Sequence, residues 1–482
     1  MAVSETFTAE LGAWIEREEL AHQAIPIIGQ LWLKRGVEPL LFRRSLVNQS
    51  PLDLLQHHRY ARELLGREMH IQETLPILRA LTELALQPSR LDVGRLVLEW
   101  QENLGSYPSI EAFLRSELAE ALDKRNASYP SRDVVLYGFG RIGRLLAREL
   151  INSAGHGNDL RLRAIVVRGN GNAADLHKRA GLLLQDSVHG PFKGTIDVLE
   201  AQSALLVNGH LIQVIYSNSP SEVDYTAYGI DDALIIDNTG KWRDRESLSQ
   251  HLQAKGTSLV LLTAPGKGDI PNVVYGINHD DIPSDETIYA AASCTTNAIS
   301  PAMKVISDHF GIDHGHVETV HSYTNDQNLL DNFHAKQRRG RGAPLNMVIT
   351  ETGASSAISK VLPQLAGKIT GSAVRVPTPN VSLAILNLHL TRPTNKEDLN
   401  QLLRKSSLMG KLVAQIDYSA DAEIVSSDLI GNSHTTIIDS LATIVEGHKA
   451  VVYAWYDNEF GYSCQVARLA RKIAGVDKFR YY

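Results

Sequence analysis

The apolar positions change their period partway along the chain. As far as residue 131 they recur at helical spacing. Val93, Leu96, Val97 and Trp100 share one face of a helix, and Ile110, Phe113, Leu114, Leu118 and Leu122 share another. Ser50-Pro51-Leu52-Asp53 reads as a helix start, with a capping hydroxyl, a proline at the first helical position and an acid two residues on. Gly36, Pro39, Pro88 and Gly105-Ser106-Tyr107-Pro108 punctuate these stretches. The pattern predicts an all-helical N-terminal extension over residues 1–131, made of several short amphipathic helices without a fixed repeat. The change of text falls at Tyr129-Pro130-Ser131. Beyond it, Val134-Val135-Leu136, Ala164–Val167, Leu234-Ile235-Ile236 and Leu259–Leu262 are short β-branched runs separated by helical stretches. Such alternation predicts an α/β fold with a doubly wound parallel sheet. Ala384–Leu390 alternates apolar and polar, as a half-exposed strand of a second, mostly antiparallel sheet would.

Composition narrows the class. The 482 residues are 43% hydrophobic and 21% charged, with a net charge of −6, which describes a globular chain of several domains. A weakly acidic chain is not expected to bind nucleic acid or an anionic membrane. No apolar run is long enough to span a bilayer, and no basic-then-apolar leader opens the chain. Two cysteines, Cys294 and Cys464, cannot form a disulfide framework. A reducing, cytoplasmic setting is therefore the expectation.

Gly138-Phe139-Gly140-Arg141-Ile142-Gly143 follows a strand and opens a helix. The first glycine permits a tight turn, Gly140 lets backbone approach a pyrophosphate, and Gly143 lets helix and strand pack closely. The helix start adds unpaired N–H groups for the phosphates. The next strand ends Val167-Arg168-Gly169-Asn170-Gly171, with no acid to bind the adenosine ribose. Arg168 at that place suits a 2′-phosphate, so the reading leans to NADP, or dual use, over strict NAD.

Ser293-Cys294-Thr295-Thr296-Asn297 precedes a helical run through Ile299, Met303, Ile306 and Phe310. A cysteine at a helix start is expected to have a lowered thiol pKa. His321 follows a strand-like Val317–Val320 and is the candidate base for that thiol. Lys336–Gly342 is rich in guanidinium groups, and with Thr352, Gly353 and Arg375 it could bind anions.

GFGRIGR, ASCTTN, HSYTNDQ, RRGRGAP, TETGASSA, RVPTPNVS and WYDNEFGYS, in this order, resemble phosphorylating glyceraldehyde-3-phosphate dehydrogenase over residues 132–482. The resemblance implies a Rossmann-type NAD(P)-binding domain at 132–293, a catalytic α+β domain at 294–458 and a C-terminal helix at 459–482 that returns to the first. It implies Cys294 as nucleophile and His321 as base. Thr324, Asp326 and Arg375 would hold the substrate's own phosphate. Ser293, Arg339, Thr352 and Gly353 would line the pocket for inorganic phosphate, and Thr295 would also bind substrate. Arg141 and Ile142 would contact the pyrophosphate, while Thr263, Asn458 and Tyr462 would lie along the cofactor. No metal is implied. Family members are typically homotetramers whose arginine-bearing loop, here Asn325–Pro344, packs against a neighbour's cofactor site. The implied reaction belongs to glycolysis and gluconeogenesis. Erythrose 4-phosphate is a competing substrate, and a non-catalytic scaffold that keeps the fold is a reading of another class. The family normally lacks residues 1–131; their apolar stripes need cover, so they are expected to pack on the body or meet another partner.

Overall fold

The computed structural model describes every residue except Met1, 123–129, 156–158, Asn170 and Glu351. Of the expected change of text at Tyr129-Pro130-Ser131, Tyr129 thus lies outside the described residues, as does Asn170 in the ribose-site run. No helix among the described residues is long and apolar enough to cross a membrane.

An eight-stranded sheet forms the first large layer. Its order is Ile288–Ala290, Thr257–Leu262, Ala233–Asp237, Arg132–Tyr137, Leu160–Val167, His210–Tyr216, Ala204–Val207, Ile196–Leu199. The first six are parallel and the last two turn antiparallel. All four runs of β-branched and aliphatic residues picked out by sequence are strands of this sheet. Helix Arg141–Ser153 covers one face, with the helix Phe460–Ile473 laid against it. Val134, Leu136, Leu146, Leu150, Val466 and Leu469 share that core.

A six-stranded sheet forms the second layer: Val348–Thr350, Ile369–Val376, Ile312–Ser322, Ser382–Thr394, Thr436–Tyr456, Ile416–Ser419. Three of its pairings are antiparallel and two parallel. Ser382–Thr394 alternates buried and partly exposed residues over Ser382–Leu390, as its sequence pattern predicts. Helix Cys294–Phe310 lies on this sheet through Ile299, Met303 and Ile306, which are buried against Leu386, Val452 and Ala454.

The extension is helical for most of its length and also contributes strands. One helix runs unbroken from Ala2 to Arg35. Pro51–Leu65 starts at Ser50, which exchanges hydrogen bonds with Asp53 in a capping box. Val37–Leu41, Arg44–Ser45 and Ser89–Asp92 form a small sheet, and the C-terminal strand Phe479–Tyr481 joins it in parallel with Ser89–Asp92. The two ends of the chain therefore close one sheet. Tyr481 donates a hydrogen bond to Glu117 at 3.2 Å, and Lys478 sits over the Trp32 ring at 5.5 Å. On the catalytic side, Tyr60 donates to Asp417 at 2.5 Å and Arg404 donates to the Leu64 carbonyl at 2.8 Å.

Candidate active site

The dinucleotide turn is shaped by what cannot fit in it. Gly138 holds φ at +95°, and a Cβ there would meet the Thr239 methyl at 3.0 Å. A Cβ on Gly143 would lie 2.5 Å from the Gly138 carbonyl oxygen. Gly140 caps the helix Arg141–Ser153 in extended geometry without a side chain. A cleft of about 360 Å³ opens over this turn, bounded by Gly138, Phe139, Gly140, Arg168, Ser217 and Lys241. A side-chain-free turn, a helix start and an adjoining cleft fit a dinucleotide. No carboxylate lines the cleft among the described residues. Arg179 also borders it, but its guanidinium is held by Asp175 at 2.7 Å.

Arg141, expected at the pyrophosphate, turns its guanidinium to Asp186 and to Glu459, the latter at 2.9 Å. Those bonds to Glu459 hold its pKa above the ordinary arginine value. Ile142 is partly buried against the first core. Thr263 donates both its N–H and its hydroxyl to the Asp237 carbonyl, at 3.0 and 3.1 Å. Glu459, Asp186 and His189, which lies 3.1 Å from Glu459, had not been picked out in the sequence. Glu459 stood inside the WYDNEFGYS motif and was the one of the three with a signal.

Cys294 begins its helix. Ser293 caps it, accepting from the Thr296 N–H at 3.0 Å. The residue before the cap, Ala292, is held at φ +54°, and its carbonyl accepts from the Tyr462 hydroxyl at 2.9 Å. Tyr462 thus reaches the backbone behind the nucleophile. The Cys294 sulfur lies 3.6 Å from His321 Nε2. His321 sits near the end of Ile312–Ser322, beside Arg375 on the parallel neighbour strand. Tyr456, also missed in the sequence, sets its ring edge-on to His321 with centroids 6.0 Å apart and meets the Thr295 hydroxyl at 3.1 Å.

The electrostatics differ from the sequence expectation. Burial pushes the Cys294 thiol up rather than down, although the Arg375 guanidinium and the backbone N–H groups of Cys294 and Thr295 pull the other way. Burial, reinforced by Arg375, pushes the His321 imidazole down to about 3. Both shifts favour a thiol beside a neutral imidazole. His321 Nδ1 lies 2.7 Å from the Ser322 carbonyl and 2.8 Å from Arg375 Nη1. If Nδ1–H donates to the carbonyl, Nε2 offers a lone pair to the thiol proton. If Nδ1 accepts from Arg375, Nε2–H instead faces the sulfur and favours thiolate.

A chain of polar contacts leads away from this pair. Arg375 donates to the Ser322 carbonyl at 2.9 Å and to the Thr324 hydroxyl at 3.3 Å. Thr324 donates to Asp326, which pairs with Arg339, and Arg339 also donates to Thr350 at 2.9 Å. Of the residues expected in the two anion pockets, Arg375, Thr324, Asp326 and Arg339 are thus linked in one chain through the Asp326–Arg339 pair. Gly353 stands at the start of helix Ala354–Val361, next to Thr352. Asn458 is buried, its side-chain carbonyl accepting from Ser322 at 2.8 Å and Ser382 at 2.9 Å. That leaves the Asn458 amide N–H groups as donors for a ligand.

Residues 132–245 match the family model described as glyceraldehyde 3-phosphate dehydrogenase, NAD binding domain, and residues 293–458 match the corresponding C-terminal domain. A glyceraldehyde-3-phosphate dehydrogenase-like protein of Pseudomonas aeruginosa is 54% identical over 94% of this chain and 98% of its own length. Glyceraldehyde-3-phosphate dehydrogenase 2 of Bacillus subtilis is 38% identical over 71% of this chain and 96% of its own. A chloroplastic glyceraldehyde-3-phosphate dehydrogenase of Arabidopsis thaliana is 42% identical over 71% of this chain and 83% of its own. The Pseudomonas protein thus shares the N-terminal extension as well as the body.

Proposed function

The chain belongs to the glyceraldehyde 3-phosphate dehydrogenase family, and from that premise we propose that it oxidises glyceraldehyde 3-phosphate with inorganic phosphate to 1,3-bisphosphoglycerate, reversibly, in cytoplasmic glycolysis or gluconeogenesis. The observation that carries the proposal is the Cys294 sulfur at 3.6 Å from His321 Nε2, with Arg375 against the same imidazole. Cys294 attacks the aldehyde carbon while His321 takes the thiol proton and passes it to the aldehyde oxygen, which becomes the hydroxyl; the imidazole, neutral again, then accepts that hydroxyl proton during the oxidation. Arg375 and Thr324 hold the substrate's terminal phosphate. A bound nicotinamide would supply the two-electron acceptor that converts the hemithioacetal to a thioester. Ser293, Arg339, Thr352 and Gly353 place inorganic phosphate for attack on that thioester, which needs Arg339 to share its guanidinium between phosphate and Asp326. Asn458 orients the nicotinamide amide, and the Gly138–Gly143 turn holds the pyrophosphate.

Arg168 and Lys241, at a cleft that no carboxylate lines among the described residues, support NADP, or both cofactors, at this site. The exposed apolar side chains of Leu329, Leu330, Phe333, Leu345 and Met347, in or beside the arginine-bearing loop, support a homotetramer built through that loop. Rates with glyceraldehyde 3-phosphate and erythrose 4-phosphate, each with NAD and NADP, with and without inorganic phosphate, test the proposal. Phosphate-dependent oxidation of the triose is expected. No turnover of it, or turnover indifferent to phosphate, overturns the reading.

A further inference from the structure

At the far end of the strand that carries His321, a second group of chemistry-bearing side chains comes together. Ile312 pairs with Leu390 and His314 with His389, so Asp313 is an extra residue bulged from the ladder. The bulge turns its carboxylate to the same side as the two imidazoles. Asp313 Oδ2 lies 2.9 Å from His314 Nδ1 and 3.9 Å from His389 Nδ1. One donor atom from each of the three falls within 4.8 Å of the others. His389 Nδ1 is buried and forms no hydrogen bond among the described residues. The His314 and His389 rings stack with centroids 4.8 Å apart, and His448 continues the stack beyond His389 at 5.6 Å. His448 Nδ1 is 2.8 Å from the Leu390 carbonyl, and donating there leaves Nε2 as its lone pair.

We propose that Asp313, His314 and His389 bind a borderline-soft divalent metal ion of the zinc class, with water completing the shell. Two imidazoles and a carboxylate are the donor set such ions take. Bonds of about 2.1 Å in a tetrahedron place donors roughly 3.4 Å apart. The separations of Asp313 from the two imidazoles, 2.9 and 3.9 Å, bracket that value. The remaining adjustment is a rotation of the imidazoles, of which His314, 65% exposed, is the freer to turn. An ion here would also satisfy the orphaned His389 nitrogen. The site lies seven residues along the strand from His321, about 23 Å at the rise of an extended chain, so the ion pins the sheet and takes no part in turnover.

The test uses the untagged full-length chain carrying Cys294→Ser, which removes the Cys294–His321 thiol–imidazole pair as a competing zinc ligand set. Calorimetric titration of the metal-free protein with zinc chloride is expected to show one saturable equivalent per chain. Adding His389→Ala or His314→Ala should weaken it by at least about 10-fold. The melting midpoint should rise with zinc in the Cys294→Ser chain and stay put in His314→Asn, a surface change that guards against loss of folding. No saturable binding in the Cys294→Ser chain, or binding untouched by both histidine changes, overturns the proposal.

Discussion

At the scale of single residues, the reacting groups are flanked by backbone that side chains rarely tolerate. Ala292 at φ +54° precedes the Ser293 cap, and Val381 at φ +64° precedes Ser382, which holds Asn458. A β-branched residue in that region is strained, and such strain persists only where the surroundings over-determine it. The Tyr462 hydroxyl supplies part of that restraint at Ala292. Arg375 is the residue on which the chemistry turns, because it acts on both partners: it pulls the Cys294 thiol down and pushes the His321 imidazole down. Removing it leaves the burial of the sulfur less opposed. Arg375→Gln should therefore reduce the thiolate fraction at pH 7 and slow alkylation of Cys294 on the order of 10-fold, one pKa unit's worth. The rate–pH profile for iodoacetamide should move to higher pH. A profile that stays in place or moves to lower pH would show that Arg375 does not act on the sulfur.

Elements show where sequence reading succeeds and where it stops. The helix starts at Ser50 and Ser293 were legible because each capping partner, Asp53 or Thr296, is a near neighbour in sequence, and the turn at Gly138 was legible from the spacing of its glycines. The buried parallel strands were legible because short unbroken apolar runs such as Ala164–Val167 and Leu259–Leu262, set between helical stretches, leave few alternatives. The small sheet of the extension was not. Its strands are two to five residues long, and its pairings join Val37–Leu41 to Ser89–Asp92 and on to Phe479–Tyr481. No local period encodes such contacts. For the same reason no local pattern shows that the Arg141 guanidinium pairs with Glu459, which lies 318 residues away. Nor could motif spacing show that burial would outweigh the helix start at Cys294. One residue organises the small sheet. Asp92 accepts from the Arg95 N–H as the cap of helix Val93–Glu102, and from the backbone N–H groups of Phe42 and Arg43, at 3.0 and 2.9 Å, across a tight turn. Asp92→Ala removes a cap and leaves buried donors unpaired, a loss of about 3 kcal/mol by denaturant titration. A change below 0.5 kcal/mol would mean that the turn is held by other contacts.

Across the whole molecule, the extension docks through buried polar groups as well as apolar ones, and that makes the assembly sensitive to acid. Tyr60 donates to Asp417, which also accepts from Asn432 at 2.9 Å. Tyr60→Phe should lower stability by about 1 to 3 kcal/mol, because a buried carboxylate loses a donor. Beside Asp417 lies His434, with Arg43 and Arg44 from the extension and Arg468 from the C-terminal helix near it. Burial pushes the His434 imidazole down to about 3; Asp417 raises it, and the three arginines lower it further. Although burial opposes it, His434, Arg44 and Arg43 hold the Asp417 carboxyl below the usual range. The sign follows for each group. Between pH 6.5 and about 3, an unfolded His434 takes up a proton that the folded one refuses, so stability falls as pH falls through that window. Asp417 contributes stability above pH 3.8 that is lost on further acidification. His321, pushed down to about 3, and His57, pushed down to about 4, add to the same slope. The melting midpoint should decline steadily from pH 7 to pH 4. His434→Gln keeps the burial but removes the titration, so its decline over pH 6.5 to 4 should be shallower without vanishing. Differential scanning calorimetry of both proteins across that range decides the matter, and parallel curves would mean that His434 takes up its proton without opening the junction between extension and body.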